Sequence, residues 1–234
     1  MKIYHISDLH IRSDMKHNYQ VELKLHNLAK QLGPVDMVVC TGDVTDDGSE
    51  AQYANALKLL TPFTSRIVVV PGNHDYSTAG LNYSKEKVKR FKTFASLLNF
   101  PRNEFYDLRI LPIDSNLKTY TPFDFAKGNV GWWNRRAIKK FGLQCKKDKK
   151  ISLVCMHHTP FEERWALELK DAEELLRACE GYIDYFLCGH EHKERVVSFN
   201  REGTQQSTVY YSAPSLAHES AQPTEINIEF SSKR

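Results

Sequence analysis

Short apolar runs recur along the chain at Lys2 to Ile6, Val35 to Cys40, Arg66 to Val70, Ile151 to Met156 and Tyr185 to Cys188, rich in β-branched or aromatic residues. Runs of this kind read as strands covered on both faces. Between several of them the period becomes helical. Tyr19 to Leu32 places Val21, Leu25, Leu28 and Leu32 at spacings of four, three and four, and Gly33-Pro34 closes it. Glu50 to Leu60, Lys85 to Leu98 and the shorter Ala172 to Cys179 are amphipathic in the same way. Strands alternating with helices in the N-terminal part predict βαβ units and a largely parallel sheet. The ending differs, because Arg195 to Phe199, Ser207 to Ser212 and Glu225 to Phe230 are strand-like with no long helix between them. One further run, Arg109 to Ile113, precedes Asp114-Ser115.

Polar clusters follow the apolar runs: Asp8-Leu9-His10, Gly42-Asp43, Gly72-Asn73-His74-Asp75, His157-His158 and Gly189-His190-Glu191-His192. If the runs are neighbouring strands of one sheet, the clusters converge on the loops at one end, where open α/β sheets bind ligands. The carboxylates Asp8 and Asp43, the amide Asn73 and the imidazoles His10, His157, His190 and His192 are the residue types that hold divalent metals. Mixed oxygen and nitrogen donors fit manganese, iron or zinc better than a calcium cage, and the lack of thiolates argues against structural zinc. Taken singly, Asp43 and Asn73 read as turn residues and His157 as a packed histidine. Together they have no structural purpose at every loop of one sheet end. Asp8 and His10 alternate about Leu9, so an extended loop would turn both to one side.

In this order the clusters resemble the calcineurin-like metallophosphoesterases, whose pattern reads D-x-H, G-D, G-N-H-[DE], H and G-H-x-H, with every element intact. The resemblance extends from about Ile3 to the segment Glu225 to Phe230. It implies one domain over residues 1–234, built as a four-layer α/β/β/α sandwich of two mixed sheets flanked by helices. It also implies two divalent ions, the first on Asp8, His10, Asp43 and His192, the second on Asp43, Asn73, His157 and His190. Metal-activated hydroxide would attack phosphorus, His74 would assist the departing oxygen, and Asp75 would orient the His74 imidazole. His158 is expected behind the ligands and Glu191 is expected to point away from the ions.

The second cluster continues Val44-Thr45-Asp46-Asp47-Gly48, with Asp47 where the Ser/Thr phosphoprotein phosphatases of the superfamily carry an arginine. A carboxylate there would repel a phosphate. The intact Gly72-Asn73-His74-Asp75 is more similar to the bacterial class III cyclic-nucleotide and glycerophosphodiester phosphodiesterases. The substrate expected from this resemblance is a small phosphodiester. A phosphomonoesterase or nuclease of the superfamily is the alternative, and a non-catalytic protein-binding scaffold comes from a different class. Scaffolds of the family typically lose ligands or the catalytic histidine, and this chain retains both.

Composition narrows the picture little. The formal charge of +3, from 32 basic and 29 acidic side chains, is too small an excess to imply a nucleic-acid partner, other than as substrate, or an anionic membrane. The run Lys139-Lys140 with Lys146-Lys147-Asp148-Lys149-Lys150 reads as a solvated turn before a buried strand. Residues 116 to 131, with Tyr120, Phe123, Phe125 and the nearby Trp132-Trp133, read as a connection whose aromatics pack on the domain, or as a lid facing substrate. The cysteines, at 40, 145, 155, 179 and 188, form no C-x-x-C pair and read as small buried hydrophobes in a reducing compartment. No segment approaches a membrane span or signal-peptide core, so a cytoplasmic protein is expected.

Overall fold

The computed structural model describes residues 1–78, 83–98, 104–105, 107–117, 126–200 and 207–229. Tyr120, Phe123, Phe125 and Phe230 lie outside them. The described strands form two sheets. The first contains β1 (Lys2–Ile6), β2 (Met37–Cys40), β3 (Ile67–Val69) and β10 (Thr224–Asn227), in the order β10-β1-β2-β3. The second contains β4 (Glu104–Phe105), β5 (Leu108–Pro112), β6 (Ile151–Cys155), β7 (Tyr185–Cys188), β8 (Arg195–Asn200) and β9 (Ser207–Ser212), in the order β4-β5-β6-β7-β9-β8. β1, β2 and β3 are parallel, as are β5, β6, β7 and β9, and the edge strands β10, β4 and β8 run antiparallel. Both sheets are therefore mixed.

Alternation along each strand builds the layers. Ile3, Met37 and Val39 turn inward to meet Leu108, Ile110, Leu153 and Leu187 of the second sheet. Their neighbours Tyr4, Ile6 and Val38 turn outward onto α1 (Tyr19–Gln31), α2 (Glu50–Leu60) and, beyond the short α3 (Asn73–Tyr76), α4 (Lys85–Leu98), through side chains such as Leu25, Tyr53 and Phe94. On the far side, Val154 and Phe186 meet Ile138 of α5 (Gly131–Lys147) and Leu175 of α6 (Ala172–Cys179). A period of two thus supplies the central strands with two buried faces, and the result is the expected four-layer α/β/β/α sandwich.

Local chemistry moves several boundaries. β2 begins at Met37 rather than Val35, because Asp36 bonds the backbone N–H groups of Gly33 and Lys2, at 3.0 and 2.8 Å, and holds a turn there. The basic run is not mainly a turn: Lys139, Lys140, Lys146 and Lys147 lie on α5, and only residues 148–150 form the turn before β6. The inward stripe of α5 is Ile138, Gly142 and Cys145, too small to announce a helix in the sequence. Gly142 is needed there, since a Cβ would stand 2.4 Å from the Tyr182 carbonyl oxygen. Trp132 and Trp133 are exposed on the first turn of α5 instead of packing on the domain. All of the cysteines are buried and free, as expected of small core residues. Among the described residues no helix is long and apolar enough to cross a membrane.

The layer assignment predicts unequal costs for two leucine truncations. Leu153→Ala, between the sheets, should lower the unfolding free energy by about 2–5 kcal/mol, whereas Leu143→Ala, on the exposed face of α5, should change it by less than about 0.5 kcal/mol. Urea denaturation of the two variants measures the difference, and equal costs would refute the layering.

Candidate metal centre

The carboxyl ends of β1, β2 and β3 and of β6 and β7 meet along the seam between the sheets. Ser7 pairs with Ser215 across the seam, the Leu216 N–H donates to the Ser7 carbonyl (3.0 Å), and the Ser215 hydroxyl donates to the Asp8 carbonyl (2.9 Å). Asp8, His10 and His192 form one group of potential ligand atoms within 4.8 Å of one another, and Asp43, His157 and His190 form another. Asn73 joins the second group, with Oδ1 3.1 Å from His157 Nε2. Asp43 stands between the groups, its Oδ2 3.4 Å from His157 Nε2 and 3.9 Å from His10 Nε2. The seven residues with ligand chemistry in the sequence are thus brought together.

Backbone conformation aims these side chains. Asp8 (φ 54°), His10 (45°), Asp43 (48°), His190 (70°) and His192 (59°) all occupy the left-handed region, which is uncommon outside glycine and costs on the order of 1–3 kcal/mol per residue. The Asp8 to His10 segment is therefore not the extended loop that alternation suggested. It is held by Asp8 N–H to the Gly42 carbonyl and His10 N–H to the Asp43 carbonyl, both 3.0 Å, while Leu9 is buried. Close approach does the rest. A Cβ on Gly72 would stand 2.1 Å from Asp43 Oδ1, and a Cβ on Gly189 would stand 2.7 Å from Asp8 Oδ2.

Hydrogen bonds fix the imidazole tautomers, because a carbonyl oxygen can only accept. His157 Nδ1 donates to the Thr41 carbonyl (2.7 Å), which leaves Nε2 facing inward. His190 Nε2 donates to the Leu167 carbonyl (3.2 Å), which leaves Nδ1 facing inward. These two inward nitrogens are 3.1 Å apart. With both rings neutral, they present lone pairs to one another and to Asn73 Oδ1 and Asp43 Oδ2. In the other group, both ring nitrogens of His10 are buried without a hydrogen bond, and Asp8 Oδ1 has only His192 Nε2, at 3.1 Å, as its partner. Converging acceptors and orphaned buried donor atoms fit divalent cations.

The electrostatics agree with that fit. Burial opposes charge on His157, yet the charge and hydrogen bond of Asp43 outweigh it and raise the imidazole to about 9. The same field can be answered by a proton on His157 or by a cation among the four atoms. Burial likewise opposes ionisation of Asp8, but the His192 hydrogen bond and the His157 charge hold its carboxyl at about 2. His190 is pushed down to about 4 by burial and by His157, so it is the neutral form that a ligand requires.

The neighbours divide into those the sequence pointed to and those it did not. His74 donates its backbone N–H to Asp43 Oδ1 (2.9 Å), and its ring stands edge-on to His10 at 4.7 Å. Its orienting partner is the Asp46 carbonyl, which accepts from Nδ1 at 2.8 Å, and not Asp75. Asp75 is buried and occupied elsewhere. Its carboxylate accepts from the N–H groups of Gly72, Val44 and Thr45 and from the Thr45 and Tyr53 hydroxyls, which ties the Asn73 loop to the Asp43 loop. Burial, with the Asp43 charge, pushes it up to about 6. His158 is buried behind His190, bonded to the Ser115 hydroxyl and the Ala126 carbonyl. Glu191 turns away to pair with Arg195. His5 is buried against the Thr41 hydroxyl (2.9 Å).

Thr41, Asp46 and Leu167 contribute through backbone carbonyls, which no residue pattern could reveal. Lys24 was also missed. Its ammonium leaves α1 to donate to the carbonyls of Leu216 and His218, in the loop whose Ser215 supports Asp8. A lysine on an amphipathic helix carries no signal for such a role.

Comparison with known proteins agrees with the site. The sequence profile of the calcineurin-like phosphoesterase family matches residues 1–194. A probable cyclic nucleotide phosphodiesterase of Coxiella burnetii is 24% identical, over 94% of this chain and 84% of that protein. A probable glycerophosphodiester phosphodiesterase of Arcobacter nitrofigilis is 28% identical, over 86% of this chain and 75% of that one. The crystal structure of a dimetal phosphatase from Danio rerio superposes with a TM-score of 0.67 at 11% identity, covering 93% of this chain and 88% of that one, a likeness of fold. The chain belongs to the calcineurin-like phosphoesterase family and is a metal-dependent phosphoesterase with the bacterial class III phosphodiesterase pattern.

Gly72→Ala tests the close approach. Its backbone (φ −101°) accepts any residue, so the added methyl acts by displacing Asp43. Divalent-metal affinity should fall by about 10- to 100-fold with far-ultraviolet circular dichroism retained. Unchanged affinity by titration calorimetry would show that Asp43 is not held by this contact.

Proposed function

We propose that the chain hydrolyses small phosphodiesters with two divalent ions, one on Asp8, His10, Asp43 and His192 and one on Asp43, Asn73, His157 and His190. The observation that carries this reading is the convergence of His157 Nε2, His190 Nδ1, Asn73 Oδ1 and Asp43 Oδ2 with no proton between the two nitrogens when both rings are neutral. Such a pair of ions supplies an activated water and stabilises charge on the phosphoryl oxygens. The oxygen and nitrogen donor set suits manganese, iron or zinc.

The chain's own groups have separable tasks. Asp43 is shared between the groups, and Thr41 and Leu167 hold His157 and His190 in the tautomers that face the ions. His74, with Nδ1–H committed to the Asp46 carbonyl, carries a proton on Nε2 only as the imidazolium, and in that form it delivers the Nε2 proton to the departing ester oxygen and is left as the neutral ring. Asp75 keeps the His74 loop registered on the Asp43 loop, a structural task in place of the orienting one. The reading places one catalytic domain over residues 1–234, in a reducing compartment such as the cytoplasm.

A diester is favoured over a monoester by two features. Both curated relatives described above bear phosphodiesterase names. The cationic clamp that a dianionic monoester needs is also weak. The Asp47 carboxylate accepts from the Ser49 N–H (2.9 Å) at the entry to α2, and Arg12 lies 3.7 Å from Asp46, which offsets its charge.

Metal analysis of purified protein, with a panel of aryl and alkyl mono- and diesters in the presence of manganese, tests the proposal. A higher kcat/KM for the bis-aryl diester than for the matching monoester is expected, and a strong monoester preference across pH and metals would overturn the diester reading. Asp43→Asn should lose bound metal and nearly all turnover. Full activity of that variant under chelation would sink the dinuclear reading. His74→Ala should keep its metal while kcat for alkyl esters falls by about 10²–10⁴, with a smaller loss for aryl esters. Equal losses for both ester types would remove the proton-delivery role.

A further inference from the structure

The net charge of +3 conceals local clusters of basic residues. α5 carries six basic residues, Arg135, Arg136, Lys139, Lys140, Lys146 and Lys147, and no acidic residue. Arg135 is committed to an ion pair with Asp171. The others are exposed, and with them are exposed apolar side chains: Trp132 (53%), Trp133 (78%) and Leu143 (49%). Trp132 and Leu143 are eleven residues apart, three helical turns, so they share one side of the helix. Arg136, four residues from Trp132, falls on that side too, and Lys139 and Lys146 flank it with their ammonium groups 5.1 and 5.6 Å from the Tyr182 ring. The opposite stripe, Ile138, Gly142 and Cys145, is buried against the second sheet.

We propose that the outer face of α5 docks on an anionic lipid bilayer, with Trp132, Trp133 and Leu143 in the interfacial layer and the lysines on the headgroups. Interfacial helices have this composition, with tryptophan and leucine for the acyl boundary and lysine or arginine for anionic headgroups. The apolar anchors stand about 16 Å apart along the axis at 1.5 Å per residue, with cations between them, and so offer a flat contact. A nucleic-acid groove fits this face less well. α5 is sunk against its sheet and does not project as a rod that could enter a groove about 12 Å wide. Trp132 and Trp133 pack edge to face at 4.4 Å, and Arg136 lies over Trp132 at 5.3 Å, an arrangement that leaves no open slot for a stacked base. The docking is peripheral and is independent of the proposed reaction.

The test is co-sedimentation of the full-length, metal-loaded protein with vesicles of phosphatidylcholine alone and of phosphatidylcholine mixed with phosphatidylglycerol. The protein should bind the mixed vesicles, more weakly as salt rises, with a blue shift of tryptophan emission. At about fivefold per lysine, the quadruple variant Lys139→Gln, Lys140→Gln, Lys146→Gln, Lys147→Gln should lose binding by on the order of a hundredfold or more. Its turnover of soluble substrates should be unchanged, which certifies the fold. Trp132→Ala with Trp133→Ala should weaken binding and abolish the emission shift, leaving Trp165 as a constant background. No binding to the mixed vesicles, equal binding to neutral ones, or undiminished binding by the lysine variant would overturn the proposal. Tighter binding to duplex or single-stranded oligonucleotides, or self-association that the same substitutions abolish, would overturn it equally by giving the face another occupant.

Discussion

In their neutral forms His157 and His190 turn lone pairs toward one another with no proton between them, and that is the constraint around which this end of the molecule is arranged. His157 and His190 each spend one ring nitrogen on a carbonyl, and the remaining nitrogens meet at 3.1 Å beside Asn73 and Asp43. In water each of those atoms would be solvated. Buried here, they repel unless a positive charge joins them, and desolvation makes that repulsion larger. The fold must hold the atoms in place in spite of it. Much of the local structure at this end of the sheets is the apparatus that does so.

Three devices supply the holding force. Parallel strands in register bring Ile6 beside Cys40 and Cys40 beside Val69, so that the loops carrying Asp8, Asp43 and Asn73 start side by side. Left-handed backbone at five of the seven ligand-type residues then turns each side chain back toward the centre, and backbone hydrogen bonds between the loops offset its strain. Finally, a buried carboxylate replaces water as the acceptor for loop amides: Asp75 bonds Gly72, Val44 and Thr45 at once. That role explains an acid beside His74 better than an orienting contact does, since the Asp46 carbonyl already holds the ring.

What the sequence disclosed and what it hid have separate physical causes. Ligand chemistry resides in side-chain type, so Asp8, His10, Asp43, Asn73, His157, His190 and His192 could be singled out from their order and from the apolar runs before them. The layers were legible because β-strand alternation and helical spacing are written in side chains as well. Three things were not. Carbonyl contacts such as those of Thr41 and Leu167 belong to the backbone and are independent of residue type. The left-handed conformation of Asp8 and His10 follows from contacts with Gly42 and Asp43, which are distant in sequence. α5 escaped because its inward stripe includes Gly142 and Cys145, where close approach to Tyr182 excludes a larger side chain.

The position of the centre on the seam has an energetic consequence of its own. In the first group Asp8 and His10 come from the first sheet and His192 from the second; in the other, Asp43 and Asn73 come from the first sheet and His157 and His190 from the second. Each group therefore spans both sheets, and a cation held there would tie them together. The Ile3, Val39, Leu153 and Leu187 core joins the sheets below this cluster, and the converging Asp, Asn and His side chains meet above it. Whatever binds the folded centre and not the unfolded chain adds to stability by mass action. Repulsion among the converging acceptors is then the counterpart of that gain: a positive charge, whether a proton on His157 or a cation among the four atoms, relieves it, and the two compete for the same place.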